Sequence, residues 1–94
     1  DTSQITNMSY LFEDKYVFNR DISQWDVSNV TTMINMFANC CEFNQQLNIW
    51  DVSKVENMNA MFDWCTNFNQ SLNNWNVNNV LSKFNMFQGC TNYK

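Results

Sequence analysis

Apolar and polar positions recur along this chain every 25 residues, with no insertion or deletion between copies. Phe12, Phe37, Phe62 and Phe87 fall on the period, as do Trp25, Trp50 and Trp75. Val27, Val52 and Val77 follow it, and Val30, Val55 and Val80 are preceded one period earlier by Ile5. Phe18, Phe43 and Phe68 recur too, with Tyr93 closing the series. One unit reads D-V-S-x-V-x-x-M-x-x-M-F-x-x-C-x-x-F-N-Q-x-L-x-x-W. The units are 1–25, 26–50, 51–75 and a truncated 76–94. Self-similarity of this kind marks a tandem array rather than an ordinary globular chain.

Two periodicities alternate within a unit. Val30, Met33, Met36, Phe37, Cys40 and Phe43 are spaced by threes and a one, which predicts one face of a short helix. Ser28 precedes that face, and Ser53 with Glu56 makes an S-x-x-E capping box that would satisfy free backbone N–H groups at a helix start. From Leu47 to Val52 the pattern changes: Trp50 and Val52 alternate with Ile49 and Asp51, which predicts a short strand. A unit of one short strand and one helix of about ten residues cannot bury its apolar face alone. Stacking equivalent units would close a continuous core, with like side chains laid over like. The expected fold class is therefore α/β, an array of about four coils across 1–94. The alternative is an all-β coil in which the M-x-x-M-F segment forms loops and turns.

The segments Ile22-x-x-Trp25-x-Val27, Leu47-x-x-Trp50-x-Val52 and Leu72-x-x-Trp75-x-Val77 resemble the L-x-x-L-x-L opening of a leucine-rich repeat. A more specific resemblance is carried by WDVSNVTTMINMF, FNQQLNIWDVSKVENMNAMF and FNQSLNNWNV. These are similar to the surface-protein repeat of mycoplasma lipoproteins and BspA-like bacterial surface proteins, a family of unknown function. The resemblance covers essentially the whole chain. It implies a leucine-rich-repeat-like solenoid on a cell-surface protein, used for adhesion or recognition. Two departures stand out. The asparagine of ordinary leucine-rich repeats at the ninth position is Val30, Val55 or Val80 here, and the last unit loosens, with Lys83 for the first Met and Asn76 and Asn78 for Asp and Ser.

Composition narrows the functional classes. Five basic residues stand against nine acidic ones, net −4, and Lys15, Arg20, Lys54, Lys83 and Lys94 are scattered, which argues against binding nucleic-acid phosphates. No apolar run approaches the ~20 residues that span a bilayer, so no direct membrane insertion by this segment is expected. With no histidine and a single glycine, the usual general base and the glycine-rich phosphate loops are missing. Glu13 and Asp14 are adjacent, which on a helix would point them apart. No enzyme is expected, and no cofactor.

Cys40, Cys65 and Cys90 share one position of the unit, with Cys41 beside the first. Lacking C-x-x-C spacing or histidine, they read as a column of small buried thiols rather than a zinc site. On a helical side with coils about 8–10 Å apart, disulfides between neighbours would be out of reach. Asn19, Asn44 and Asn69 are expected to bond backbone groups in turns. Asn7, Asn29 and Asn69 begin N-x-S/T triplets, about as many as so Asn-rich a chain gives by chance. Asp1, Asp26 and Asp51 would form a carboxylate row, open to calcium in principle, but each stands two before a Ser or its equivalent, where local turn bonding is the simpler use. The Trp and Met columns are expected to fill the core.

The residues that vary between units are left for recognition: Ser23, Gln24 and Asp26; Asn48, Ile49 and Asp51; Asn73, Asn74 and Asn76. They form a polar, amide-rich, slightly acidic face with Ile49 as its one apolar anchor, suited to a protein or glycan ligand. The expected function is a non-catalytic recognition or adhesion module at the cell surface or outside it, part of a larger anchored protein. The alternative is an architectural spacer that self-associates end to end through uncapped faces.

Overall fold

A computed structural model describes residues 2–93; Asp1, the first carboxylate of the predicted row, lies outside them, as does Lys94. Among the described residues the backbone forms neither a helix nor an extended strand. Pairing of the β kind is confined to single-residue parallel bridges, Asn7 to Thr32, Thr32 to Asn57 and Asn57 to Ser82. The expected leucine-rich-repeat-like α/β solenoid is overturned. The protein is a compact globule, 29 × 27 × 22 Å with a radius of gyration of 11.9 Å, close to what a single packed domain of this length adopts.

The physical reason lies in turns. Each unit closes a succession of β-turns by bonds from residue i+3 to residue i, as in Val30 N–H to Val27 O (3.0 Å), Met36 to Met33 (3.3 Å), Cys40 to Phe37 (3.0 Å) and Phe43 to Cys40 (3.0 Å). The first and last residues of such turns point inward, so apolar side chains recur every third position. That is the spacing a helical face also shows. The predicted strand is misread for the same reason: Leu47 and Trp50 bracket a turn (Trp50 N–H to Leu47 O, 3.0 Å) with Asn48 and Ile49 at its corners.

Left-handed residues make a helix impossible. Tyr10, Asn35, Ala60 and Asn85 have φ between 54° and 65°, and Asp14, Asn39, Trp64 and Gly89 between 60° and 75°. A left-handed L-residue costs about 1–2 kcal/mol, less for Asn and nothing special for Gly. Reversal of the backbone at these points directs alternate N–H groups out of the unit. Asn35 donates to Asn59 O (2.9 Å), Phe37 to Met61 O (2.8 Å) and Asn39 to Asp63 O (2.7 Å), each 24 residues on. The intervening N–H groups close the turns. The S-x-x-E capping box therefore caps nothing: the Ser53 hydroxyl donates to Asp51 Oδ1 at 2.6 Å, and Glu56 N–H donates to Thr31 O at 2.8 Å.

Matching side chains nevertheless lie over one another. Phe12, Phe37, Phe62 and Phe87 stack with centroids 5.6, 5.4 and 5.5 Å apart. Phe18, Phe43, Phe68 and Tyr93 form a second column at 5.6, 5.9 and 5.8 Å. The two columns touch within each unit, at 4.3 Å for Phe37 and Phe43. The between-unit spacings are within the range of favourable offset stacking. Tryptophans pack on the phenylalanine of their own unit, Trp50 on Phe37 at 6.3 Å, and bond to the preceding unit through Trp50 Nε1–H to Ile22 O at 3.1 Å. The methionine and valine positions of the second and third units are fully buried. The fourth unit is looser, with Val77, Leu81 and Phe84 exposed.

Candidate functional site

The turns 22–25, 47–50 and 72–75 are each closed by the tryptophan N–H on the carbonyl of Ile22, Leu47 or Leu72 at 3.0–3.1 Å. Because Leu47 and the tryptophans are held by the core, the two corner residues of each turn are fixed while facing outward. Asn48 ties the second turn to the third, its Oδ1 accepting from Asn74 N–H at 2.9 Å. The predicted residues are thus gathered on one edge. Gln24, Asp26, Ile49, Asp51, Asn73, Asn74 and Asn76 are exposed there, and Asn48 is half-buried. Ser23 departs from the expectation: it is buried, its N–H donating to Asp21 Oδ1 at 2.9 Å.

The carboxylates of this edge are engaged locally. Asp26 Oδ1 accepts from Ser28 N–H (2.9 Å) and Oγ–H (2.6 Å), and Asp51 Oδ1 from Ser53 in the same way at 3.0 and 2.6 Å. Asn76 Oδ1 receives Asn78 N–H at 3.0 Å. These are Asx-turns. The serine hydroxyl, then the serine N–H, lower the carboxyl pKa of both aspartates, and the charge of Asp26 raises that of Asp51 slightly. Both are ionised at neutral pH, with one oxygen each already committed. Among the described residues no group of three or more Cys, Asp or Glu is placed to hold a metal ion.

Elsewhere the polar residues serve the packing of one unit on the next. Asn44 N–H donates to Asn19 Oδ1 and Asn69 N–H to Asn44 Oδ1, both at 2.9 Å. Gln45 and Gln70 add amide bonds to the same asparagines. The four cysteines are free thiols. Cys40, Cys65 and Cys90 donate Sγ–H to the carbonyls of Phe12, Phe37 and Phe62 at 3.0, 2.8 and 2.8 Å. Burial pushes the thiol pKa of Cys40 up to about 11 and that of Cys65 further still. Such thiols stay protonated and unreactive at neutral pH. Cys41 is only half-buried and reaches Asn39 O at 3.6 Å. Among the described residues no helix is long and apolar enough to cross a membrane.

One residue that sequence reasoning passed over is Asp63. Its Oδ1 is shut off from solvent without a hydrogen-bond partner, and desolvation raises its pKa. The same position is Glu13, Ala38 or Gln88 in the other units, so the repeat pattern gave no signal there.

The whole chain, residues 1–94, matches the family described as Mycoplasma protein of unknown function, DUF285. The chain belongs to this family. Its membership agrees with the resemblance to mycoplasma surface-protein repeats at the level of the family and no finer. Neither the curated proteins nor the solved structures contain a match to it.

Proposed function

We propose that this DUF285 chain is a non-catalytic recognition module of a cell-surface protein, binding a protein or glycan on the edge formed by 22–26, 47–51 and 72–76. The recurring Phe, Trp, Met and Leu side chains pack in or against the core, whereas the corners of the turns 22–25, 47–50 and 72–75 carry residues that vary between units. The observation that carries the reading is Ile49. It is 59% exposed in the best-packed part of the molecule, directly before a buried tryptophan. Ile49 follows Asn48 and shares its position in the unit with Gln24 and Asn74, an apolar anchor on an otherwise amide-rich edge. The Mycoplasma family and the similarity to lipoprotein repeats support placement at the cell surface, within a larger anchored protein.

The test is binding of the purified chain to a glycan array and to immobilised extracellular-matrix proteins. Ile49→Asp should weaken whatever binding is found by about tenfold or more, with the near-ultraviolet circular dichroism of the stacked rings unchanged. Binding that survives Ile49→Asp, Asn73→Ala and Asn74→Ala alike would remove this edge as the recognition surface.

A further inference from the structure

Trp64 stands where a tryptophan fits the backbone poorly. It is left-handed at φ 60°, in a column filled by Asp14, Asn39 and Gly89 in the other units. Asp, Asn and Gly accept that conformation, whereas a bulky ring there is a strained outlier. Such strain persists only where surrounding structure enforces it, and it clusters at ligand sites. The strain is not exchanged for burial, since the side chain is 50% exposed. One face of the indole lies on Gly89. A planar ring covered on one side and half exposed leaves its other face open to solvent.

Two successive turns carry the indole. Cys65 N–H closes the first on Phe62 O (3.0 Å) and Phe68 N–H closes the second on Cys65 O (3.1 Å). Their corners are Asp63, Trp64, Thr66 and Asn67. The same turns one unit earlier place Asn39 and Glu42 at corners. Asn39 N–H to Asp63 O (2.7 Å) and Asn67 N–H to Cys41 O (3.3 Å) tie the two pairs together. Asn39 Nδ2 donates to Asp14 Oδ1 at 2.7 Å and Thr66 Oγ1 to Cys41 O at 3.3 Å, which fixes both side chains and leaves their oxygens able to accept. Glu42 and Asn67 are exposed. Neither 37–43 nor 62–68 contains Lys or Arg.

We propose that Trp64 is a stacking platform for a neutral sugar residue, with Asn39, Glu42, Thr66 and Asn67 on the same turns supplying hydrogen bonds to its hydroxyls. A pyranose has an apolar C–H face that stacks on an aromatic ring and a hydroxyl edge that pairs with amides and carboxylates. A protein anchor would instead need a pocket to fill. The acids Glu42 and Asp63, with no base on these turns, select against sugar acids. The platform is separate from the Ile49 edge and holds whether or not that edge binds a ligand. One open contact of this size binds weakly, with a Kd of about 1 mM, too weak to be retained on a washed array.

The test is titration of the chain with maltohexaose, cellohexaose and chitohexaose, read in proton–nitrogen correlation NMR spectra. At least one of the three should move the Trp64 indole signal to saturation. The Trp50 and Trp75 indole signals, whose Nε1–H groups are bonded to Ile22 O (3.1 Å) and Leu47 O (2.8 Å), should stay in place. Trp64→Asn, the residue of the same column one unit earlier, suits the left-handed backbone and keeps the fold. It should weaken binding, followed by the backbone amides of 63–67, by about tenfold or more, while Ile49→Asp leaves it unchanged. The proposal is overturned if no neutral oligosaccharide moves the Trp64 signal up to about 10 mM. It is equally overturned if Trp64→Asn binds as well as the wild type, or if trigalacturonic acid binds as well as the neutral sugars.

Discussion

The indole of Trp64 lies flat against Gly89 one unit later, so that a methyl group built on that glycine would stand 2.5 Å from Trp64 Cδ2. Trp64 N–H also donates to Gln88 O at 2.6 Å, and both residues are left-handed, at φ 60° and 75°. The chain's single glycine is therefore required twice, by backbone and by contact. Gly89→Ala should lower stability by about 2 kcal/mol or more, combining the left-handed penalty of about 1–2 kcal/mol with the steric clash. Trp64→Ala removes the clash but not the backbone strain. A double-mutant cycle by urea denaturation should thus show coupling between the two changes, and additive losses would contradict the contact.

The thiol column predicts an alkaline limit. Burial raises the folded-state pKa of Cys40, Cys65 and Cys90 above the ordinary thiol value of 9.0. A raised pKa means that the folded chain holds these protons more tightly than the unfolded one. The resulting stability is complete below pH 9 and is lost as the pH climbs toward 11, where Cys40 itself titrates. Urea midpoints should fall across that window, and replacing the three cysteines by Ala should flatten the fall.

Accessibility separates the cysteines in a second way. Iodoacetamide at pH 8 should label Cys41 first, and Cys65 only under unfolding conditions, as read by peptide mass spectrometry. Cys65 modified as fast as Cys41 in the native protein would mean that the column opens.

Asp63 is a site where removing a charge should help. Its Oδ1 is enclosed and unpaired, and its raised pKa places the cost of ionisation on the folded state at neutral pH. Stability from the protonated form is fully present below about pH 3.8 and fades as the pH rises through the folded pKa. Asp63→Ala, the residue type found one unit earlier at Ala38, should therefore raise the urea midpoint at pH 7 and change it little at pH 3.

The ring columns give the largest predicted loss. Phe62 touches Phe37, Phe68, Trp75 and Phe87 and is fully buried. Phe62→Ala should cost about 3–5 kcal/mol, and Phe62→Leu clearly less. Equal losses at Phe62 and at the half-buried Phe12, measured by the same denaturation, would argue against a core centred on the middle units.

The exposed edge was readable in outline because the corner residues of its turns vary while the apolar residues that bracket them recur: Ile49 varies and is outside, Trp50 recurs and is inside. Ser23 was misplaced because its burial depends on the Asp21 carboxylate capturing its N–H, a bond that the repeat pattern does not announce. Asp63 was invisible for a related reason, since an orphaned oxygen is defined by what surrounds it in three dimensions.

The unit length, the ring columns and the identity of the core were settled by sequence, because hydrophobic burial is insensitive to how the backbone travels between one inward residue and the next. The backbone state was decided only by tertiary structure. A spacing of three is common to a helical face and to the ends of successive β-turns, and local pattern cannot choose between them. The choice rests on bonds such as Phe37 N–H to Met61 O, made across 24 residues. Left-handed turns at Asn35 and Asn39 become favourable only when a neighbouring unit is present to receive the N–H groups they turn outward.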